Sequence, residues 1–284
     1  MSLLLNDILH LTNEEIKNSK IELNMQPGDS NETYLDRWLT HSDKEKRAAS
    51  CKECSFWGWG KSWGNNTRNY KPGQLAFSFL RMNNAEEWLF VSAGRIVEIP
   101  KDDYAKVEIM KKYASLFGRL VIKCKKGNTY SRYVFNLEKY IDTCIVKEIL
   151  PTVYDGDEFP GYDKVCLSYD KLKTIINRGK RDWIAALENQ KAVYLLTDKG
   201  TGKLYVGSAY GENGMLLQRW KNYIANGHGG NVELENLSFE YIKKNFQYSI
   251  LENYNSRVDK HIILKRESWW KKCLYSKERG YNGN

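Results

Sequence analysis

Two short apolar segments joined by a glycine-containing turn constrain this chain more than any other feature of its sequence. The segments are KAVYLLT and KLYVGS, and the residues DKGTG between them place glycines where a tight turn needs positive φ. This pattern predicts a β-hairpin. With its turn centred between Lys199 and Gly200, Tyr194 and Tyr205 are expected directly opposite each other on one face of the hairpin.

A helix is predicted directly after the hairpin, in the segment NGMLLQRWKNYIANG, with Asn213 as its N-cap and Gly227 as its end. Arg219 and Tyr223 are four residues apart in this helix. They therefore point the same way, and a guanidinium and a phenol are expected close together.

The last predicted helix, SRVDKHIILKRESWWKKCLYSK, carries a carboxylate in an unusual position. At 100° per residue, Glu267 falls at the edge of an apolar stripe. The stripe consists of Ile263, Trp270 and Leu274. A carboxylate at a half-buried margin costs free energy unless a cation or a metal meets it. Arg266 is one candidate cation, and Lys271, one turn further on, is another.

Taken together and in this order, these residues resemble the GIY-YIG nuclease superfamily, including the catalytic domains of phage intron-encoded homing endonucleases and of GIY-YIG restriction endonucleases. The first name-giving tripeptide is AVY, ending at Tyr194, and the second is YVG, beginning at Tyr205. The remaining matching positions are the family's arginine, the residue four positions later, a loop histidine, the metal-binding glutamate and the terminal asparagine: Arg219, Tyr223, His228, Glu267 and Asn282.

The match departs from the family pattern at three points. Ala192 stands where the first tripeptide has glycine, and valine replaces isoleucine in both tripeptides. The helix also starts later after Tyr205, through the loop AYGENG. This longer loop leaves open where lysine or backbone groups approach a phosphate.

The resemblance implies a domain at residues 190–284 in which a three-stranded antiparallel sheet is flanked by helices. It also implies metal-dependent hydrolysis of DNA phosphodiesters, with Mg²⁺ held by Glu267. Arg219 is expected to donate to the scissile phosphate. Tyr205 is expected to act as general base or to orient the water. The other implied catalytic residues are Tyr194, Tyr223 and Asn282, and the candidate DNA contacts are His228, Lys203 and Ser208.

Each of these residues taken alone has a simpler explanation. Strand tyrosines are usually core residues, and Arg219 could form a surface ion pair with Glu212. Glu267 could pair with Arg266 or Lys271 alone. A catalytically inactive DNA-binding protein that keeps the fold is therefore the alternative outside the enzyme class. Within that class, a homing or repair nuclease is the alternative to a restriction-type enzyme.

The rest of the chain predicts a second domain, and the fold class is α+β. Residues 1–165 are predicted to form a β-rich α+β or barrel-like domain, and residues 166–189 are predicted to form a helical connector. The predicted strands are QLAFSFL, EWLFVSAGRIVEI, RLVIKC and RYVFNL, and DYAKVEIMKKYASLFG is a helix candidate. The first forty residues are expected to be helical.

The N-terminal segment WGWGKSWG combines tryptophans with a lysine, a composition that could stack bases beside phosphates. Its residues are Trp57, Trp59, Lys61 and Trp63. The alternative is that these tryptophans close a small core. Residues 1–165 are predicted to be a target-recognition module, with a PUA-like barrel that reads a sequence or a modified base as one form of it.

Composition sets the remaining bounds. The 284 residues have a formal net charge of +9, which favours a polyanionic partner, namely DNA. No apolar run approaches the roughly 18 residues of a membrane span, so no membrane partner and a cytoplasmic location are expected. Of the six cysteines, Cys51 and Cys54 alone have a metal-like spacing, and one such pair is a weak zinc signal. All six are expected to be reduced thiols. One active site cuts one strand, so a homodimer is a possible form.

Overall fold

The computed structural model describes residues 2–24, 33–40, 47, 59–62, 65–82, 86–100, 104–127, 133–211 and 215–283. The chain divides into two compact units, Met1–Asp155 and Gly156–Asn284. Each unit contains both helices and a β-sheet, so the predicted α+β class is confirmed. Within the described ranges, no helix is long and apolar enough to cross a membrane.

The first unit is built mainly from strands. Its helices are α1 (Leu5–Leu9), α2 (Asn13–Lys17) and α3 (Tyr34–Thr40), with 3₁₀ turns at Lys111–Leu116 and Leu137–Lys139. Its strands are β1 (Ser19–Asn24), β2 (Trp59–Ser62), β3 (Asn65–Arg68), β4 (Leu75–Arg81), β5 (Glu87–Glu98), β6 (Lys106–Ile109), β7 (Leu120–Lys123), β8 (Val134–Asn136) and β9 (Ile145–Ile149).

The large sheet of this unit has the strand order β8-β1-β4-β5-β7-β9, and β6 pairs with β5. Strand β1 runs parallel to β4, and the other pairs are antiparallel. Strands β8 and β9 lie at the two ends and are not paired with each other. The described strands therefore form an open sheet, rather than the closed barrel that was one of the two predicted forms.

Both faces of this sheet are covered at β4. Successive side chains of a strand point to opposite faces, and those of β4 are buried on both. Phe77 and Phe79 of β4 pack into a cluster with Leu9 of α1. Leu80 of the same strand packs on the other face with Trp38 of α3. The four predicted strands correspond to β4, β5, β7 and β8 and are confirmed.

Two local predictions for the first unit are wrong. The segment DYAKVEIMKKYASLFG is not one helix but β6 followed by a 3₁₀ turn, and its exposure alternates along Lys106–Ile109 with the period of a strand. The first forty residues are also not wholly helical, because Ser19–Asn24 forms β1 and pairs with β4 and β8. In β6 the error comes from polar side chains that face outward from a sheet rather than from a helix, whereas in β1 the polar residues Ser19, Glu22 and Asn24 are buried.

A disulfide joins Cys124 and Cys144, so the prediction that all six cysteines are reduced is wrong for this pair. The two residues are buried in the core of the first unit. Cys166 and Cys273 are free, as predicted, and both are exposed. Cys51 and Cys54 lie outside the described residues.

The second unit comprises mostly longer helices around a smaller sheet. Its strands are β10 (Cys166–Ser168), β11 (Gln190–Asp198), β12 (Leu204–Ala209) and β13 (Phe246–Asn255), with a 3₁₀ turn at Tyr162–Lys164. Its helices are α4 (Tyr169–Arg178), α5 (Arg181–Glu188), α6 (Met215–Asn226), α7 (Val232–Glu235), α8 (Phe239–Asn245) and α9 (Lys260–Cys273).

The sheet of the second unit is antiparallel with the order β10-β13-β11-β12. It therefore has four strands rather than the three predicted. The additional strand, β10, belongs to the segment that was predicted to be a helical connector. The rest of that segment forms α4 and α5, separated by Gly179 at φ +61°. Residues 156–165, assigned to the N-terminal domain from the sequence, lie in this unit.

The two faces of this sheet have different cores. Tyr194 and Tyr205 lie in a large cluster with residues of α6, including Trp220 and Tyr223. On the other face, Val193 and Val206 pack against Ile263 of α9. Trp270 and Leu274 pack against this second cluster, which confirms the predicted apolar stripe of α9. The candidate catalytic residues are thus distributed over both faces of the β11–β12 hairpin.

Candidate active site

The register of the β11–β12 hairpin differs from the prediction. Tyr194 pairs with Gly207, and Tyr205 pairs with Leu196. The two tyrosines are therefore diagonal neighbours on the same face, with ring centroids 6.4 Å apart. The centre of the turn lies one residue later than predicted, between Gly200 and Thr201, and the Asp198 carboxylate accepts a hydrogen bond of 2.8 Å from the Gly200 N–H.

The glycine of the YVG tripeptide is required by this register. A Cβ atom at Gly207 would lie 2.4 Å from Cζ and from Oη of Tyr194. The Tyr194 ring thus lies directly over the backbone of the neighbouring strand, and any side chain at position 207 would displace it. Tyr194 is completely buried.

Arg219 of α6 joins the two buried tyrosines into one cluster. Its Nε donates a hydrogen bond of 2.9 Å to the Tyr194 hydroxyl, which is 3.1 Å from the Tyr223 hydroxyl. The guanidinium carbon lies 5.4 Å from the centre of the Tyr223 ring. The predicted i, i+4 pair of Arg219 and Tyr223 is therefore present. We call Tyr194, Tyr205, Arg219 and Tyr223 the phenol–guanidinium cluster.

Burial controls the protonation states of this cluster. Loss of hydration raises the pKa of Tyr194 above its ordinary range, and Arg219 only partly opposes this effect. Burial likewise raises the pKa of Tyr223. Burial acts to lower the pKa of Arg219, but attraction to Tyr194 and Tyr223 outweighs it and the pKa is raised. At neutral pH both phenols are neutral and the guanidinium is charged.

Two groups of the phenol–guanidinium cluster remain available for a ligand. Within the described part of the chain, the Tyr205 hydroxyl and the two terminal nitrogens of Arg219 have no hydrogen-bond partner. No carboxylate pairs with Arg219 in that part of the chain, and Glu212, the ion-pair partner considered from the sequence, lies outside it. A half-buried cation without an anion is costly, which makes it a ready partner for one.

Glu267 is placed by α9 next to β12. The Ser208 hydroxyl donates to its Oε2, and the Lys271 ammonium lies 2.6 Å from its Oε1. Of the two cations considered from the sequence, Lys271 is therefore the partner. The alternative with Arg266 is wrong, because Arg266 pairs with Glu252 of β13.

Glu267 and the phenol–guanidinium cluster approach β12 from its two faces. Tyr205 and Gly207 point to the face of α6, and Val206 and Ser208 point to the face of α9. No hydrogen bond, ion pair or ring contact within the described residues joins Glu267 to the cluster. They meet only through the consecutive residues Gly207 and Ser208 of β12, the last strand in the sheet order.

Asn282 serves the backbone of β12. Its side-chain carbonyl accepts from the Val206 N–H at 2.8 Å, and its amide nitrogen donates to the Val206 carbonyl at 2.7 Å. The side chain is buried, and this two-point contact uses both ends of its amide. The contact indicates that Asn282 positions the strand that carries Tyr205 and Ser208.

The remaining predicted DNA contacts, His228 and Lys203, form no hydrogen bond or ion pair with this cluster among the described residues. His228 follows α6, and its Nδ1 accepts from the Gly230 N–H at 3.2 Å and lies 3.2 Å from a Glu235 carboxylate oxygen. Lys203 lies at the hairpin turn, with its ammonium 5.3 Å from the centre of the Tyr281 ring.

The backbone of Trp59 and Lys61 forms β2, which pairs with β3, but their side chains lie outside what the structure describes. Trp57, Trp63 and the predicted N-cap Asn213 also lie outside the described residues. The proposed stacking of bases on WGWGKSWG therefore stays a prediction.

Two polar clusters escaped the sequence analysis. Buried Asp198 accepts hydrogen bonds from the hydroxyls of Thr201 at 2.6 Å, Tyr281 at 2.7 Å and Tyr241 at 3.0 Å. The signal that could have found it is an aspartate followed by Gly and Thr, which is typical of an Asx turn.

The second cluster surrounds Glu252. The Arg266 guanidinium binds this carboxylate with two nitrogens, Tyr254 donates to it, and the Trp270 N–H donates at 3.0 Å. These hydrogen bonds, led by those from Arg266, lower the pKa of Glu252 to about 2. Because Glu252 lies on β13 and both Arg266 and Trp270 lie on α9, their contacts leave no local signal in the sequence.

The donor set around Glu267 fits a cation with few protein ligands. In the described ranges, no group of three or more His, Cys, Asp or Glu residues could hold a metal ion. Glu267 supplies one carboxylate, and Ser208 supplies a hydroxyl beside it. Mg²⁺ is commonly held by one or two carboxylates and completed by waters and a substrate phosphate. The residues present therefore fit Mg²⁺ and not a metal that needs several nitrogen or sulfur ligands.

Comparison with known proteins gives a likeness over part of the chain. No protein-family model matches the chain, and no curated protein matches it. The solved structure of the catalytic domain of homing endonuclease I-TevI is 30% identical over 33% of this chain and 98% of that domain, with a TM-score of 0.28. A mutant of the same catalytic domain is 31% identical over 33% of this chain and 92% of that domain, with a TM-score of 0.27.

Proposed function

We propose that the second unit is a GIY-YIG-type nuclease domain that hydrolyses a phosphodiester bond of DNA. One observation carries the proposal: Arg219 is anchored by Nε to a buried tyrosine while its two terminal nitrogens have no partner among the described residues. A guanidinium held in this way matches the oxygens of a phosphate. The net charge of +9 favours the same polyanionic partner.

The three tyrosines divide the remaining work. Because burial raises the pKa of Tyr194 and Tyr223, these phenols stay protonated and are unsuited to accept a proton from water. They hold and orient Arg219 instead. The Tyr205 hydroxyl has no hydrogen-bond partner among the residues that the structure describes, so we assign to it the orientation of the attacking water. The water oxygen forms a bond to phosphorus as the bond from phosphorus to the 3′ oxygen breaks, and a proton of the water ends on the 3′ oxygen, which leaves as a hydroxyl.

We place the substrate phosphate of the proposed reaction beside Ser208. Backbone N–H and C=O groups alternate in direction along a strand, so those of Ser208 point the same way as those of Val206, away from β11. A phosphate at this position is within reach of side chains from both faces of β12. Glu267 would hold one Mg²⁺ there, and the metal would stabilise charge on the phosphate oxygens.

We further propose that the protein is a restriction-type endonuclease in which the first unit selects the target. The support is compositional and topological: a single hairpin site provides little surface for reading a sequence. The first unit is a separate compact body with its own two-faced core. Cleavage of both strands by one such site is expected to need a homodimer or two successive events.

The decisive test of the nuclease proposal is Glu267→Gln, which keeps the size of the side chain and removes its charge. We expect Mg²⁺-dependent cleavage to be lost while binding of duplex DNA, measured by fluorescence anisotropy, is kept. Glu278→Gln is the matched control, since Glu278 is exposed on the segment after α9. Cleavage by the Glu267→Gln protein at the wild-type rate would remove Glu267 from the metal site.

Target selection is tested by a chain that starts at Gly156. This start keeps Asp157 and Phe159, which contact Trp183 in the core of the second unit. Circular dichroism first establishes that the fragment is folded. We expect weaker cleavage with less sequence preference, read by sequencing the fragment ends from modified and unmodified DNA. An unchanged pattern of ends would contradict a selecting role for the first unit.

A further inference from the structure

Both carboxylate oxygens of Glu267 are already engaged by side chains of this chain. Ser208 donates to Oε2, and the Lys271 ammonium lies 2.6 Å from Oε1. The Glu267 side chain is 13% exposed and that of Lys271 is 22% exposed. Water therefore screens this pair less than it screens a surface ion pair. In this arrangement the ammonium already neutralises the charge that a metal ion would use.

We propose that Lys271 is a positioning residue that competes with the divalent cation for Glu267, while Ser208 keeps the carboxylate oriented. The inference rests on the proposed function, in which Glu267 holds the metal. An ammonium and a divalent cation cannot both contact Oε1, because like charges at contact distance repel strongly. Lys271 therefore leaves Glu267 when the cation binds, and it lowers the affinity for the cation by the free energy of the pair.

The choice of lysine fits an exchangeable pair. Its ammonium is a point charge on a flexible stem at the last turn of α9, so it can turn away without moving the helix. The neighbouring pair of Arg266 and Glu252 has the opposite character. There a planar guanidinium binds the carboxylate with two nitrogens, and further donors complete the carboxylate. The helix thus carries one permanent pair and one that a cation can open.

Ser208 has a different part in this arrangement. Its hydroxyl reaches Glu267 from β12, whereas Lys271 lies on the same helix as Glu267. When Lys271 leaves, the contact from Ser208 remains and fixes the direction of the carboxylate. Loss of the hydroxyl should therefore weaken cation binding, and loss of the ammonium should strengthen it.

Binding of Mn²⁺ alone, without DNA, tests the inference by electron paramagnetic resonance of the free ion. We expect the dissociation constant of Lys271→Met to be about twofold to fivefold lower than that of Lys272→Met. Lys272 is the matched control because it is the next residue of α9, is exposed and loses the same charge. Lys271→Arg keeps a cation on Glu267 and, because a guanidinium can bind both carboxylate oxygens, is expected to bind Mn²⁺ no more tightly than the wild type.

Ser208→Ala is expected to weaken Mn²⁺ binding severalfold, and Ser208→Thr to preserve it. Equal dissociation constants for Lys271→Met and Lys272→Met, or weaker binding by Lys271→Met, would overturn the competition. Mn²⁺ binding that is the same in Glu267→Gln as in the wild type would overturn it as well. The cleavage assay on Glu267→Gln decides separately whether the proposed function also fails.

Discussion

Asp198 and Tyr194 lie four residues apart on one strand, and each is the centre of a buried polar cluster. At Asp198, the hydroxyls of Thr201, Tyr241 and Tyr281 and a backbone N–H all donate to the same carboxylate. At Tyr194, the hydrogen bonds continue to Tyr223 and Arg219 and go no further within the described ranges.

The comparison distinguishes polar groups that stabilise this unit from polar groups that are available for a reaction. The Asp198 cluster is complete within the fold, because the hydroxyls of Thr201, Tyr241 and Tyr281 all donate to its carboxylate. Such a network contributes stability. The phenol–guanidinium cluster ends in groups that have no partner in the described part of the protein, the Tyr205 hydroxyl and the terminal nitrogens of Arg219. Those groups contribute little to folding and are available for a substrate. Mutations in the two clusters should therefore have opposite effects on stability and on activity.

The largest effect is expected for Arg219→Ala, which should lower the rate of DNA cleavage about 10²-fold to 10³-fold. The reason is the loss of the donor for charge on the phosphate, which no other described side chain of the cluster supplies. Single-turnover cleavage measures the rate, and thermal unfolding should change little because Tyr194 keeps its partner Tyr223.

Lys221→Ala is the matched control, because Lys221 is exposed on the same helix. Arg219→Lys should recover only part of the rate, since an ammonium cannot donate to two phosphate oxygens in the fixed geometry of a guanidinium. If Arg219→Ala cleaved like the control, Arg219 would belong with Asp198 as a structural group.

Asp198→Asn is expected to act on stability. It places an amide among hydroxyl donors and should lower the free energy of unfolding by about 3 kcal/mol, or Tm by roughly 10 °C. Cleavage at a temperature where the variant is folded should stay close to wild type. A large loss of activity in a folded Asp198→Asn protein would break the distinction between the two clusters.

The effect of Asp198→Asn should also depend on pH. Burial acts to raise the pKa of Asp198, but the hydrogen bonds from Thr201 and Tyr281 outweigh it, and the pKa lies below its usual value of 3.8. The carboxylate therefore contributes its stability above about pH 4, and this contribution is lost as the pH falls through the lowered pKa. Thermal scans from pH 7 downward should show the two proteins converging only below pH 4.

The smallest effect is expected for Tyr281→Phe, which removes one of the donors to Asp198. A loss of about 1.5 kcal/mol in the free energy of unfolding follows from one hydrogen bond to a charged group. Tyr275→Phe, at an exposed position, should change nothing measurable. Equal unfolding temperatures for the two variants would show that the other donors compensate fully.

Much of the second unit could be predicted from its sequence because its signals are local. Three of these features follow from the period of a single helix or strand. They are the tyrosines on the strands, the i, i+4 spacing of Arg219 and Tyr223, and the position of Glu267 at the edge of the apolar stripe. The contact of Lys271 with Glu267 is of the same kind and was one of the alternatives. All of these features depend on residues within a few positions of one another.

The features that were missed depend on contacts between elements. The register of the hairpin is set by the Asp198 side chain, and placing the turn centre without it put Tyr194 opposite the wrong residue. Strand β10 has only three residues and exists because β13 offers it hydrogen bonds. The pairing of Arg266 with Glu252 joins a helix to a strand. In the first unit, β1 pairs with a strand more than fifty residues away along the chain.

The contact between Asn282 and Val206 has a consequence beyond the position of the hairpin. The Tyr281 N–H also donates to the Leu204 carbonyl at 2.8 Å, so residues 281 and 282 satisfy the outward backbone groups of β12 as a neighbouring strand would. An exposed strand with free backbone groups invites pairing with another chain and aggregation. The C-terminal segment protects this part of β12 from such pairing, and within the described ranges it leaves the outward backbone groups of Ser208 uncovered, as the proposed contact with DNA requires.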